Sequence, residues 1–117
     1  MNEPNEGIEL LYTRDCRAWP EALQNLKAAL AEVGLADEPQ LIVIDTQEQA
    51  ATYNFFASPT VHIHGQDADQ MARRISRRGL GTGRPYFWGG RSLTAPSVAM
   101  LKRALLELYL KPENQKS

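Results

Sequence analysis

The chain has 117 residues, of which 43% are hydrophobic and 23% are charged, and its formal net charge is -1. That length suits one domain with a hydrophobic core, and the composition is ordinary for a globular protein. The small net charge argues against nucleic acid or a membrane surface as the partner, because both attract strongly basic chains. A single cysteine, Cys16, excludes a scaffold held together by intrachain disulfides.

The two ends of the sequence are polar. Residues 1–7 contain no apolar stretch of the kind that forms a signal peptide, and residues 111–117 are equally polar. We expect both ends to be loose tails of one domain that spans the whole chain, 1–117. No apolar run approaches the length of a transmembrane helix, so we expect a cytoplasmic protein.

Strand and helix patterns alternate in the first half of the chain. A short apolar run predicts a strand at 8–12, and leucines at helical spacing predict a helix at 21–33. The unbroken apolar run at 41–44 predicts a parallel strand that is buried on both faces. The helix predicted at 46–55 begins with the residue pattern of a capping box.

The second half begins with a strand, 59–65, which a proline opens and a glycine closes. A long polar loop follows at 66–83, then a strand at 84–88 and a helix at 96–108. The predicted order is therefore β-α-β-α-β-β-α in one α/β domain. We expect a four-stranded mixed sheet with helices on both faces, in which the last two strands are antiparallel.

The polar loop at 66–83 carries a local cluster of positive charge, and a short helical turn is expected at 71–76. Such a cluster suits an anion, for example a phosphate or the carboxylates of glutathione. A solvated loop is the alternative interpretation. The arginines of the cluster are Arg73, Arg74, Arg77 and Arg78.

Cys16 lies between the first predicted strand and the first predicted helix. A thiol at the start of a helix is stabilised as a thiolate by unpaired N–H groups and by the positive end of the helix dipole. Arg14 and Arg17 would add to this effect, whereas Asp15 would oppose it or cap the helix. Alternatively, Cys16 is a small apolar residue of the core.

His62 and His64 alternate with apolar residues on the third predicted strand and share one side of the sheet. Together with Cys16 they have the residue types of a metal site. We favour one packed histidine and one at the exposed strand end, because the strand carries His64 too far from Cys16.

These features together resemble the thioredoxin-like superfamily over residues 8–108. The match comprises the cysteine between strand and helix, the Ser58-Pro59-Thr60 strand start, and the step from Gly89-Gly90 to Pro96 before the last helix. The chain is more narrowly similar to a small bacterial thioredoxin-family group with a Gly-Cys-Pro-Asn-Trp site and a Gly-Ser-Pro-Thr strand start. The corresponding segments here are Asp15-Cys16-Arg17-Ala18-Trp19 and Ala57-Ser58-Pro59-Thr60.

The resemblance implies a thioredoxin fold in which Pro59 follows a cis peptide bond and faces Cys16. It also implies that Ser58 and Thr60 offer backbone groups to an extended substrate, as an added strand would. Trp19 stands where the family's Cys-X-X-Cys motif has its second cysteine, and the further cysteine that relatives carry before the last hairpin is missing as well. An outside thiol such as glutathione must therefore resolve any mixed disulfide.

We expect a thioredoxin-like protein that uses Cys16 in thiol–disulfide exchange or thiol adduct chemistry, with Trp19, Ser58, Pro59 and Thr60 as the substrate site. The partner would be a disulfide-containing protein or a low-molecular-weight thiol, and the sequence requires no cofactor and no resident metal. One alternative is a catalytically silent binding module that acts through the proline loop or the aromatic residues 86–88, including homodimer formation. Capture of a soft metal such as mercury by Cys16 is another.

Overall fold

The computed structural model of the protein describes residues 7–110. The tails predicted at 1–7 and 111–117 lie outside the described residues, apart from Gly7. The carbonyl oxygen of Gly7 accepts a hydrogen bond of 2.7 Å from the backbone N–H of His64. Gly7 is therefore attached to the end of the sheet.

Six strands, three α-helices and a 3₁₀ turn make up the described part of the chain. In chain order they are β1 (Ile8–Tyr12), α1 (Trp19–Glu32), β2 (Gln40–Val43), α2 (Gln47–Thr52), β3 (Thr60–Ile63), β4 (Gln66–Asp67), the 3₁₀ turn (Gln70–Arg74), β5 (Tyr86–Trp88), β6 (Arg91–Leu93) and α3 (Val98–Leu108).

The ends of the helices follow the local sequence signals. Gly34, with a φ of 81°, follows the end of α1, where a glycine avoids the steric cost of the left-handed conformation. The capping box expected before α2 is confirmed, since Thr46 and Gln49 each bond to the other's backbone N–H. Ser97 caps α3 by accepting a hydrogen bond from the N–H of Met100.

The predicted four-stranded mixed sheet is confirmed, with strand order β2-β1-β3-β4. Strands β1 and β2 are parallel, whereas the β1–β3 and β3–β4 pairs are antiparallel. The prediction that residues 84–88 form the fourth strand is wrong, because β4 fills that place. His64 and Gly65, with φ angles of 51° and 81°, make the tight turn that returns the chain directly from β3 to β4.

The segment at 84–88 instead contributes β5 to a separate two-stranded hairpin with β6. Gly89 and Gly90 connect these two strands with φ angles of 61° and 78°, as a two-residue hairpin turn requires. The structure therefore contains two strands, β4 and β6, that the predicted order lacks.

Strand β2 is parallel to β1, as predicted, but the expectation that it is buried on both faces is wrong. It lies at the edge of the sheet, and Leu41 within it is 47% exposed. The strands buried on both faces are the two central ones: Leu10 and Leu11 of β1 are fully buried, and all four residues of β3 are buried as well. The apolar run at 41–44 therefore predicted a strand correctly, but it did not predict that this strand lies at the edge of the sheet.

Helices cover both faces of the sheet. Helices α1 and α3 pack on the face that carries Leu10 and Val61, and α2 packs on the opposite face against Leu11. Within residues 7–110, no helix combines the length and the apolar character that crossing a bilayer would require.

The face covered by α2 also carries a buried row of polar side chains. Glu9, His62 and Asp67 stand opposite one another on the three neighbouring strands β1, β3 and β4. Arg84, which is 4% exposed, donates two hydrogen bonds of 2.9 and 3.0 Å to the carboxylate of Asp67. It donates a third, of 2.8 Å, to Oγ1 of Thr60. The loop before β5 is thereby tied to the sheet.

We expect Arg84→Met to lower the free energy of unfolding by about 3–5 kcal/mol, because it leaves Asp67 buried without its counter-charge. Arg84→Met combined with Asp67→Leu should cost less than the two single changes added together, since no lone charge remains. Denaturant unfolding measures all three values.

The control is Arg14→Met, which removes another two-bond ion pair, to Asp45, at a side chain that is 73% exposed. It should change stability far less than Arg84→Met does. Equal losses for the two arginines would show that the buried pair does not hold this part of the fold.

Candidate functional site

Cys16 lies in the connection from β1 to α1, two residues before the helix N-cap. Its backbone N–H donates a 3.1 Å hydrogen bond to the carbonyl of Thr13, which closes a turn. The thiol is free, and the residue is 7% exposed. The N-cap is Ala18 and makes no side-chain cap bond, so of the two alternatives for Asp15 the structure excludes the helix cap.

A cleft of about 420 Å³ borders Cys16. It lies between the turn before α1 and two later segments, 82–85 and 92–94. Trp19, Ser58, Pro59 and Thr60, the residues predicted to form the substrate site, do not line it. A ligand bound in this cleft would therefore touch Cys16 and its sequence neighbours together with residues of 82–85 and 92–94, which the sequence did not assign to the site.

The predicted cis peptide bond between Ser58 and Pro59 is confirmed. Oγ of Ser58 accepts a 3.1 Å hydrogen bond from the backbone N–H of Thr13. The proline loop is thus joined to the turn that contains Cys16, at a point three residues before the thiol.

Trp19 opens α1 and stacks on the ring of Tyr12, with 4.4 Å between ring centroids. It also packs against the core formed by α1, α3 and the sheet. Trp19 therefore makes packing contacts with Tyr12 and the core, and it does not line the cleft beside Cys16.

The backbone of Ser58 pairs with the chain itself. Its N–H donates a 2.8 Å hydrogen bond to the carbonyl of Gly81, and its carbonyl accepts one of 2.9 Å from the N–H of Arg84. We call residues 81–84 the strap. The expectation that Ser58 exposes backbone groups to a substrate is wrong, because the strap already occupies them and Ser58 is fully buried.

Thr60 is equally enclosed, with 1% exposure. Its hydroxyl donates to the carbonyl of Ala57 and accepts from Arg84, and its backbone lies in register with Leu11 of β1. It therefore contributes to the support of the proline loop and leaves no surface for a ligand to contact.

Gly81 lets the strap approach the proline loop closely. A Cβ placed on this residue would lie 2.8 Å from the carbonyl oxygen of Phe56 and 3.1 Å from Cβ of Ala57. The first distance is shorter than side chains tolerate against a backbone atom, so the strap can lie in this position only with glycine at 81.

The positive charge near Cys16 comes from fewer groups than the sequence suggests. Arg14 pairs with Asp45, and this carboxylate raises the pKa of the guanidinium and offsets its charge. Arg84 lines the cleft but is paired with Asp67. Arg17, which is exposed and lines the cleft, and the N-terminus of α1 remain to act on the thiol.

The two histidines have different surroundings. His64 is exposed, and its ring stacks on Tyr109 at 4.9 Å. The side chain of His62 is 3% exposed, and its Nδ1 lies 4.0 Å from Oε1 of Glu9. The interpretation of one packed and one exposed histidine is confirmed. Among the described residues, no three Cys, His, Asp or Glu side chains come together in a way that could hold a metal ion.

Burial lowers the pKa of His62 to about 4. The negative charge of Asp67 acts in the opposite direction, while Arg84 and Arg78 reinforce the decrease. His62 is therefore a neutral imidazole near pH 7, and one of its two nitrogens donates while the other accepts.

The structure also shows the contacts of Arg73 in the polar loop and of the aromatic strand β5. Arg73 pairs with Glu107 of α3 at 2.9 Å. The hydroxyl of Tyr86 donates to the carbonyl of Pro59, and this side chain is fully buried. Phe87 is 65% exposed, so the aromatic strand has one packed side chain, Tyr86, and one side chain on the open surface, Phe87.

Sequence reasoning missed the strap and the β6 residues that line the cleft. Glycines recur at 79, 81 and 83, and one of them could have indicated a close backbone approach. The sequence does not show which of these glycines makes the approach. The structure shows it, because Gly81 pairs with Ala57 through a parallel β-bridge.

Comparison of the chain with protein family models, with curated proteins and with solved structures finds no match. The fold and the site define a mixed α/β domain with one free thiol at a cleft beside a cis-proline loop. Any closer assignment depends on the residues and contacts described above.

We expect Gly81→Ala to displace the strap and to increase the reaction rate of Cys16 with the bulky disulfide reagent dithionitrobenzoate. The clash is of a kind that costs about 1–3 kcal/mol, which corresponds to about 5-fold to 150-fold in the equilibrium between closed and open strap. Absorbance of the released thiolate follows the reaction.

The matched control is Gly79→Ala in the same loop. Its added Cβ would approach no atom more closely than 4.0 Å, so it should react like the wild type. An unchanged rate for Gly81→Ala would show that the strap does not limit access to the thiol.

We also expect His62 to make stability depend on pH. Its folded pKa of about 4 lies below the ordinary value of about 6.5, so between these values the unfolded chain takes up a proton that the folded protein does not. Stability is full above the upper value and falls as the pH decreases through this window, by about 3 kcal/mol in all.

Denaturant unfolding of the wild type and of His62→Gln between these pH values measures this contribution. The wild type should lose more stability than His62→Gln as the pH falls, and His64→Gln should lose as much as the wild type. Identical pH dependence for the wild type and His62→Gln would contradict a depressed pKa.

Proposed function

We propose that the protein is a thioredoxin-like domain whose single thiol, Cys16, carries out thiol–disulfide exchange or forms thiol adducts. The observation that carries this proposal is a free cysteine at the cleft before α1, joined through Thr13 and Ser58 to a cis-proline loop. The mixed sheet with helices on both faces is consistent with it.

The chemistry needs only one cysteine from this chain. The Cys16 thiolate attacks one sulfur of a disulfide, the S–S bond breaks, and the other sulfur leaves as a thiolate. The resulting mixed disulfide is then attacked by the thiolate of an outside thiol, which releases Cys16. A second cysteine cannot resolve the intermediate, because the chain has only one.

The strap favours a small partner over an extended polypeptide. A peptide that added a strand at Ser58 would need backbone groups that already bond to Gly81 and Arg84. The cleft beside Cys16 is instead a concave space of about 420 Å³, in the size range of small-molecule sites. A low-molecular-weight thiol is therefore the preferred partner, with Arg17 available to a carboxylate.

In this proposal the predicted substrate residues have a supporting function. Ser58 holds the Cys16 turn, Thr60 and Pro59 bond to Arg84 and Tyr86, and Trp19 packs beside the turn. The cytoplasm suits the proposal, because its reducing conditions keep a lone thiol free.

A second candidate function is a binding module without catalytic activity. Phe87 and Met71 are 65% and 71% exposed and border one surface groove, together with Trp88. Exposed apolar side chains grouped in this way are typical of contact surfaces, for a second copy of the chain or for another protein. Capture of a soft metal such as mercury by Cys16 is a third candidate, and it would need the thiol but not the groove.

We expect the protein to reduce a small disulfide in a glutathione-coupled assay and Cys16→Ser to remove this activity, because the chain has no other thiol that could form the mixed disulfide. The rate of disulfide reduction with and without each protein measures the effect.

The matched control is Cys16→Ser combined with Ser76→Cys, which places the only thiol in the exposed polar loop. It should be less active than the wild type in the same assay, because its thiol does not line the cleft. Equal activity would show that the cleft does not support the reaction. If Cys16→Ser also equals the wild type, the binding module becomes the better candidate.

A further inference from the structure

A second cavity, of about 230 Å³, lies on the face of the sheet that α2 covers. Its lining includes His62 and Asp67 from the sheet, Phe56 from the segment after α2, and Arg73 and Arg78 from the polar loop. It shares no lining residue with the cleft beside Cys16. The buried Arg84–Asp67 pair stands between the two spaces, because Arg84 lines one and Asp67 the other.

The ring of His62 lines this cavity on the side of the sheet. Its Nδ1 is fully enclosed and lies 4.0 Å from Oε1 of Glu9, a residue that does not line the cavity. His62 therefore forms part of the cavity wall, and the charged contacts to a ligand have to come from the arginines of the lining.

Arg78 brings to the cavity a charge that the protein does not balance. Within residues 7–110 no carboxylate forms an ion pair with it. Its three hydrogen bonds go to the carbonyls of Ile75 and Arg77 and to Oδ1 of Asn54. A guanidinium has further N–H groups, so donors remain for a ligand.

The other charges of the lining are compensated. Asp67 is paired with Arg84, and Arg73 is paired with Glu107. Arg77 lies 5.1 Å from the centre of the Phe56 ring but does not line the cavity. The carboxylate of Glu9 lies behind the lining, 4.0 Å from Nδ1 of His62. Among the described residues, Arg78 is therefore the charge of the lining that no ion pair offsets.

We propose that this cavity is a binding site for a small oxyanion, a phosphate or a carboxylate group, held by Arg78, with the ring of His62 in the cavity wall. The volume of about 230 Å³ is several times the roughly 30 Å³ of a water molecule, so it admits the oxyanion with a short organic group. Phe56 and Ile75 offer apolar contacts to that group. The site is independent of the thiol chemistry proposed for Cys16.

The chain contains only two histidines, and this makes the test direct. Inorganic phosphate and, separately, benzoate are titrated into the protein at constant pH and ionic strength, and the ring resonances of both histidines are followed by NMR. We expect a saturable shift at His62 in at least one titration and no shift at His64, which stacks on Tyr109 outside the cavity. The two titrations distinguish phosphate from carboxylate as the preferred group.

Arg78→Gln should weaken this binding about tenfold or more, because it removes a charged hydrogen-bond donor. The matched control is Arg74→Gln, since Arg74 is exposed in the same loop and does not line the cavity. It should bind as the wild type does. Arg78→Lys, which retains the charge without the fork of donors, should fall between them.

Two results would overturn the proposal. One is a His62 resonance that stays unchanged in both titrations of the wild type, which needs no variant to fold. The other is an equal loss of affinity in Arg74→Gln and Arg78→Gln, which would mean that the loop attracts anions by its general charge and has no defined site.

Discussion

The structure depends on one buried ion pair, between Arg84 and Asp67. Burial alone would lower the pKa of Arg84, but its surroundings, including Tyr86 and Asp67, outweigh that effect and raise it, so the guanidinium stays charged. The group is enclosed between the rings of Phe56 and Tyr86, at 4.7 and 4.3 Å from their centres. A charge in such a place is tolerated only with its partner present, and Asp67 of β4 supplies that partner. The pair thereby attaches the strap, and the chain that leads into β5, to the sheet.

The strap follows from this arrangement and determines what the thiol can meet. Because the side chain of Arg84 is held at the sheet, its backbone N–H meets the carbonyl of Ser58, and Gly81 closes the contact from the other side. The strand-pairing position at the proline loop is then filled by the chain itself. The open surface next to Cys16 is a cleft, and this geometry favours small thiols as partners of the proposed reaction.

Local patterns in the sequence were sufficient for the helices and for the strands that have long apolar runs. The capping residues of α2, the glycine after α1 and the apolar spacing of α3 are signals that act within a few residues. The fourth strand could not be read in this way, because β4 has two residues and owes its place to the turn at His64–Gly65 and to the Arg84–Asp67 pair. The edge position of β2 and the pairing of Ser58 with the strap likewise depend on residues far apart in the chain. The position of Cys16 before a helix was predictable, whereas the segments that face it were not.

We expect Cys16 of the folded protein to react with a small disulfide and to be released by a small thiol. Intact-mass spectrometry after incubation with oxidised glutathione measures this reaction. The native protein should gain one glutathione at Cys16, and reduced glutathione should remove it. This expectation would be contradicted if the native protein gained none under conditions in which the same chain, unfolded in denaturant, gains one.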